Sequence, residues 1–188
     1  MERGWARRAA PLALAGAARY DARMHPRALE LVQSLRLARH PEGGAFREAF
    51  RASHTVNTPD GTERPAATHI YFLLVAGEHS RWHRVAQDEV WNVYEGDGVE
   101  LAWIAADWSA IERRVLAAVS AGREPAAVVP AGCWQMARAL GPYALAGCTV
   151  APGFDFADFA LMSDEPAACE ELRRRFPDEA RFLRSGTA

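Results

Sequence analysis

Apolar and polar positions alternate with a period near two through the middle of the chain and take a helical period only toward its ends. Over 25–37, Leu29, Val32 and Leu35 recur at three-residue steps with Pro26 in the first turn, which predicts a short amphipathic helix. HPEGG at 40–44 reads as a turn, and GAFREAFRA after it alternates. That alternation puts Phe46, Glu48 and Phe50 on one face and Arg47, Ala49 and Arg51 on the other, so Glu48 and Arg51 are expected on opposite sides. Residues 55–67 read as a hairpin-like loop with Asp60-Gly61 at its tip, and THIYFLLVAG (68–77) as a buried strand. Further strands are predicted over 90–96, 99–105, 113–119, 126–132, 133–139 and 143–151. Short strands parted by Gly, Pro and Asp predict an antiparallel sandwich or barrel rather than βαβ units. Ser163-Asp164-Glu165-Pro166 opens a second helix that ends near Arg175, and 178–184 adds a final helical turn or two. With no internal repeat and no interdomain linker, 24–188 reads as one domain, all-β apart from a short N-terminal helix and C-terminal helices.

Composition narrows the class. The 188 residues, 49% of them hydrophobic, suffice for one well-buried core. A net charge of −2 leaves no basic surface for nucleic acid or an anionic membrane, and no apolar run reaches the roughly 18–20 residues that span a bilayer. The three cysteines, Cys133, Cys148 and Cys169, show no C-x-x-C spacing and read as reduced thiols of a cytoplasmic protein. Residues 1–23 are Ala- and Arg-rich. Arg7-Arg8 before APLALAGAA has the outline of an export signal, but the apolar stretch is short, and the segment reads as a disordered extension or as a start placed upstream of Met24.

The chemistry concentrates in GEHSRWHRVAQDEVWNVYEG (77–96), which sets His83 six residues after Gly77, Glu89 six after His83 and Gly96 seven after Glu89. This spacing resembles the first cupin motif, a glycine turn leading into a strand with inward ligands. The motif's second histidine falls at Val85, which shares a face with His83 but cannot bind a metal. A second half-motif, Pro130-Ala131-Gly132, has Gln135 where the last histidine is expected. The words HPEGGAFREAFR, IYFLL, WHRVAQDEVWNVYEG, PAGCWQ and GCTVAPGFDFADF resemble the cupin_5 family over about 29–162. The resemblance implies a double-stranded β-helix, the jelly-roll barrel, usually a homodimer and similar to nucleotide-sugar epimerases of the dTDP-4-dehydrorhamnose type. It fixes no reaction. The family often has histidine after the tryptophan of DEVW. Here that residue is Asn92, which alternation sets opposite to Glu89 and Trp91.

A small-molecule site centred on His83, Glu89 and Gln135 follows as an expectation. His83 or Glu89 is a candidate base and Tyr71 a candidate acid, the alternative for Tyr71 being a core or interface residue with its hydroxyl satisfied. The resemblance favours Arg51 as an anion clamp, against a surface ion pair. Trp91, Trp134 and Phe154 are candidate pocket walls, against plain core aromatics. In APGFDFADF (151–159) the phenylalanines are expected to cap one barrel end while the aspartates serve turns. His83, Glu89 and Gln135 would supply one nitrogen and two oxygens to manganese, iron or nickel, a poor set without His69 or His79, so a metal-free site is favoured. An epimerase- or isomerase-like enzyme of a sugar or carbonyl metabolite is the leading reading. A metal-dependent lyase or dioxygenase and a non-catalytic metabolite-binding barrel are the alternatives.

Overall fold

The computed structural model describes residues 24–120 and 122–184; the extension over 1–23 lies outside them. The middle alternation becomes strands β1 (Ala38–Arg39), β2 (Ala45–Arg51), β3 (Thr55–Asn57), β4 (Glu63–Pro65), β5 (Thr68–Val75), β6 (His83–Val85) and β7 (Asp88–Gly96). There follow β8 (Val99–Ile104), β9 (Ile111–Leu116), β10 (Ala126–Val129), β11 (Gln135–Ala139), β12 (Tyr143–Ala151) and β13 (Phe159–Leu161). One six-stranded sheet runs β1-β2-β5-β12-β7-β10, a five-stranded sheet runs β13-β6-β11-β8-β9, and β3 and β4 form a separate hairpin. From β5 to β8 and again from β9 to β13, consecutive strands fall in opposite sheets, which winds the chain into a double-stranded β-helix.

Period-two alternation explains the three cores. Phe72, Leu74, Trp91, Ala146 and Cys148 from the larger sheet meet Leu101, Trp103 and Ala137 from the smaller one inside the barrel. The outer face of the larger sheet carries Leu73, Val75 and Leu145 and is covered by helix α1 (Pro26–Leu35). The outer face of the smaller sheet carries Trp82, Trp134 and Met136. Helix α2 (Pro166–Arg175) and the 3-10 turns at Pro177–Leu183 cover it through Leu172 and Phe182. Helix α1 starts as its sequence predicts: the His25 ring accepts from the Arg27 N–H at 3.2 Å, and Pro26 occupies the first turn. Its buried stripe, however, is Ala28, Leu31 and Val32, while Leu29 faces solvent.

Strand β2 corrects one expectation. A bulge lies between Glu48 and Phe50, so Glu48 opposes Ile70 while Phe50 opposes His69 and Arg51 opposes Thr68. The extra residue inverts the alternation. Phe50 turns to solvent, and Arg51 comes round to the face of Glu48, which it grips through Nε–Oε1 at 3.0 Å and Nη2–Oε2 at 2.7 Å.

The turn at 40–44 is set by two glycines. Gly43 has φ +114°, and a Cβ there would lie 2.6 Å from the His79 carbonyl oxygen; Gly44 has φ +69° with Leu73 O at 2.8 Å. Glycine alone takes that backbone with that clearance. Gly43→Ala is therefore expected to lower unfolding free energy in urea by about 1–3 kcal/mol, the cost of a strained backbone position. A loss below about 0.5 kcal/mol, the range of an ordinary surface change, would show that the turn relaxes freely.

Candidate functional site

His83 and Gln135 lie opposite each other across β6 and β11, and both side chains enter the barrel. Glu89, first of the inward residues of β7, meets them: Gln135 Nε2 donates to Glu89 Oε2 at 2.6 Å, and Trp91 Nε1 donates to Gln135 Oε1 at 3.0 Å. The indole thus fixes which way the amide points. The Cys148 thiol also hydrogen-bonds Glu89. The fourth member has no motif spacing in the sequence. Glu42, from the 40–44 turn, enters at the seam between the two sheets and brings Oε2 to 3.2 Å from His83 Nε2 and 3.5 Å from His40 Nδ1. The glycine pair after Glu42 is the one local signal of a special backbone there.

Burial decides the protonation of this cluster. His83 is 2% exposed, Glu42 5%, Glu89 6% and Gln135 1%. The His83 Nδ1–H donates to the Arg81 carbonyl at 2.8 Å, which leaves a bare lone pair on Nε2. Two acceptors 3.2 Å apart need a proton between them, so Glu42 carries it. Desolvation, then the nearby Glu89 carboxylate, raise the Glu42 pKa well above the carboxylate range. Desolvation lifts Glu89 to about 7 against the bonds from Gln135 and Cys148, and lowers His83 to about 4. His40, buried against Phe46 and Phe72, falls to about 3, again mainly by desolvation. The contact between Glu42 and His83 is a neutral O–H···N bond rather than an ion pair.

The other sequence candidates divide. Trp91 is in the cluster, and Val85 is buried beside His83. Phe154 packs against Phe159 at 6.0 Å, and Phe159 stacks on the His83 ring at 5.7 Å and 30°, so the phenylalanines do close this end of the barrel. Tyr71 is not at the site. It alternates with inward Ile70 and Phe72, lies on the outer face near α1, and contacts His69, Tyr94 and Arg47. Trp134 also points outward, into the core under α2, with Arg84 over its ring at 4.7 Å. Arg51 stays at the rim, held by Glu48 and by the Phe154 carbonyl at 3.2 Å. His69 pairs with Thr149 on the outer face and His79 with the Arg184 carbonyl, so neither joins His83.

A transition metal does not fit this donor set. Val85 stands at the second ligand position, the Gln135 oxygen is taken by Trp91, and Glu42 occupies the His83 Nε2 lone pair. Among the described residues no group of three or more His, Cys, Asp or Glu is placed to hold an ion.

Strands that alternate between two antiparallel sheets, with the first-motif histidine and glutamate facing inward at one end, define a cupin barrel. The chain belongs to the Cupin_5 family (Cupin superfamily, DUF985), which its sequence matches over residues 29–162. It is similar to a hypothetical protein from Leishmania major, with 29% identity and a TM-score of 0.73 over 83% of this chain and 96% of that one. A protein from Shewanella oneidensis is 30% identical, with a TM-score of 0.70 over 85% of this chain and 96% of that one. The oxalate decarboxylase of Lactobacillus farciminis, solved with formate, shares the fold alone, at 17% identity and a TM-score of 0.51 over 76% of this chain and 39% of that one. Comparison with curated proteins gave no match. No helix among the described residues is long and apolar enough to cross a membrane.

The Glu89 shift predicts a linkage. Between its ordinary value of 4.5 and about 7 the unfolded chain loses the Glu89 proton while the folded chain keeps it, so this group's stabilising contribution falls as pH rises. His40 and His83 act oppositely, since the unfolded rings bind protons below 6.5 that the folded rings bind only near 3 and 4. Comparing Glu89→Gln with the parent isolates the carboxyl. The variant should gain about 3 kcal/mol relative to the parent between pH 4 and 8, measured by denaturant titration. A pH-independent difference would mean that folding leaves the Glu89 pKa unshifted.

Proposed function

We propose that the cluster is an acid–base site that epimerises or isomerises a sugar or other carbonyl metabolite by removing a proton next to the carbonyl. One observation carries the reading: Glu42 and Glu89 share a buried site with His83, and their surroundings set their protonation apart. Such a pair assigns its own roles, the group that ionises near neutrality acting as base and the group that keeps its proton as acid. Glu89 takes the proton from carbon while Gln135 holds its other lone pairs in place. The electron pair of the broken C–H bond moves onto the carbonyl oxygen, which receives the Glu42 proton. His83 orients Glu42 through Nε2 and offers that nitrogen as a resting place for the proton. Return of the Glu89 proton to the neighbouring carbon, while Glu42 takes back a proton from the other hydroxyl of the enediol, gives an isomer; turning of the enediol in the site, so that Glu89 returns the proton to the other face of the first carbon and Glu42 recovers its own, gives an epimer. Glu42 thus takes the role the sequence reading gave to Tyr71. A homodimer is part of the same proposal, and native mass spectrometry reports subunit number and any retained metabolite together.

The test is deuterium uptake from D2O into a panel of keto sugars and keto acids, followed by NMR. The parent protein should incorporate deuterium. Glu89→Gln and Glu42→Gln should each reduce the rate by about 10²-fold or more, the usual worth of a positioned acid or base. Tyr71→Phe should leave it unchanged, and the rate should rise with pH through about 7 as Glu89 ionises. Absence of exchange over the whole panel, with His83→Ala only weakening ligand binding, would replace the enzyme by a non-catalytic binding barrel.

A further inference from the structure

Beside the buried pair of Glu42 and His83 stands a cation that the acid–base steps leave unused. Arg81 lies just ahead of β6 and meets the 40–44 turn at two points. Its backbone N–H donates to the Glu42 carbonyl at 2.7 Å, and its Nη2 donates to the carbonyl of Pro41, the residue before Glu42. Its own carbonyl accepts from His83 Nδ1 at 2.8 Å. Hydrogen bonds of one residue therefore flank the contact between Glu42 Oε2 and His83 Nε2 on both sides.

The Arg81 guanidinium has no ion-pair partner among the described residues, and the Pro41 carbonyl is its one acceptor there. A carbonyl orients the head without cancelling its charge. Nε is buried and makes no hydrogen bond, so that end of the head is shielded from water. An unpaired charge so placed acts on its neighbours with little screening. Glu42 faces His83 of β6, His40 of its own turn and Glu89 of β7, while the His83 ring faces Glu42 and is covered by Phe159. To this set Arg81 adds a positive field that reaches both partners. It favours the ionised form of Glu42 and opposes protonation of His83, the ring whose bare Nε2 orients Glu42. Desolvation is the larger effect at rest, so Glu42 keeps its proton. The balance changes once that proton has gone to a substrate oxygen. A buried carboxylate is then left behind, and a fixed charge already aimed at it needs no rearrangement to stabilise it.

We propose that Arg81 is a positioning residue for the acid: its guanidinium holds the turn that carries Glu42 and, having no counter-ion of its own, supports the carboxylate that Glu42 becomes when its proton passes to a substrate oxygen. The inference rests on the acid–base reading of the cluster and names the residue that governs its acid half. Arg81 neither gives nor takes a proton. Unlike the anion clamp expected of Arg51, it acts on the protein's own carboxylate rather than on the substrate.

Arg81→Gln and Arg81→Lys, made in the full chain, separate charge from fit. Glutamine retains a donor for the Pro41 carbonyl without the charge; lysine retains the charge without the planar head. The head of Arg81 reaches the surface, so folding is not at stake in either variant. Side-chain 13C and 15N NMR titration follows Glu42 and His83 with no substrate present. In Arg81→Gln both groups should titrate at higher pH than in the parent, where His83 titrates near 4. In Arg81→Lys both should stay close to the parent. Deuterium uptake into the keto sugars and keto acids should fall about tenfold in Arg81→Gln, a fraction of the roughly 10²-fold or more carried by the acid itself. The alkaline limb of the rate, where Glu42 loses its proton, should move to higher pH, and Arg81→Lys should recover most of the rate. Equal titrations in the parent and Arg81→Gln, or a lysine variant that behaves as the glutamine one, would overturn the inference. Shifted titrations with no exchange in the parent would sink the acid–base reading and leave the hold of Arg81 on the pair. Exchange in the parent that Arg81→Gln leaves unaltered would sink the inference alone.

Discussion

The proton shared by Glu42 Oε2 and His83 Nε2 ties the barrel's seam to its chemistry. Residue 81 brackets the contact on both sides: the Arg81 N–H donates to the Glu42 carbonyl at 2.7 Å, and the Arg81 carbonyl accepts from His83 Nδ1 at 2.8 Å. The first bond pins the 40–44 turn against the edge of the smaller sheet. The second selects the tautomer that leaves Nε2 free for Glu42. The backbone of one residue therefore places both partners, and the glycines after Glu42 are what let the turn come close enough. Removing the proton would leave a carboxylate facing an imidazole lone pair with no water between them, a costly arrangement in an apolar interior.

Neutrality follows from the same constraint, and it links stability to function. Glu42, Glu89, His40 and His83 all shift toward their uncharged forms, because desolvation outweighs everything their surroundings return, the Arg81 charge near Glu42 included. Glu89 yields its proton first: Gln135 and Cys148 both donate to it, and donors stabilise the ionised form. Trp91 acts one step further out. Its indole fixes the Gln135 amide so that the NH2 end, not the oxygen, meets the carboxylate. Exchanging those ends would turn a donor into an acceptor and raise the Glu89 pKa further.

The sequence showed the barrel and half of the site for two reasons. Alternation put Val85 on the face of His83, and the resemblance to the cupin motif implied that His83 and Glu89 point inward, where the structure has them. In THIYFLLV alternation carries no information. Both faces of β5 are apolar, one toward the barrel and one toward α1, so nothing in the run tells Tyr71 from Phe72. At β2 the alternation was clear but the bulge at Ala49 broke its count, and no residue there advertises a bulge. Glu42 escaped because it sits 41 residues before His83 in a turn. Spacing rules join residues along one strand, while the seam joins strands that the chain visits far apart.

A closed cluster also limits how a ligand reaches it. His83 and Glu42 are sealed on the mouth side by Phe159, whose strand β13 adds only three residues to the edge of the smaller sheet. Short edge strands are the weakest-held parts of a sheet, and this one is anchored just upstream by Asp158 in the grip of Arg64 and Gln87. The anchor is an ion pair shared with one amide, so it ties the β3–β4 hairpin and the turn before β7 to the strand that carries Phe159. The stacked ring and the burial of both partners keep the Glu42–His83 bond dry, which is the condition under which a neutral acid–base pair can exchange protons with carbon rather than with solvent.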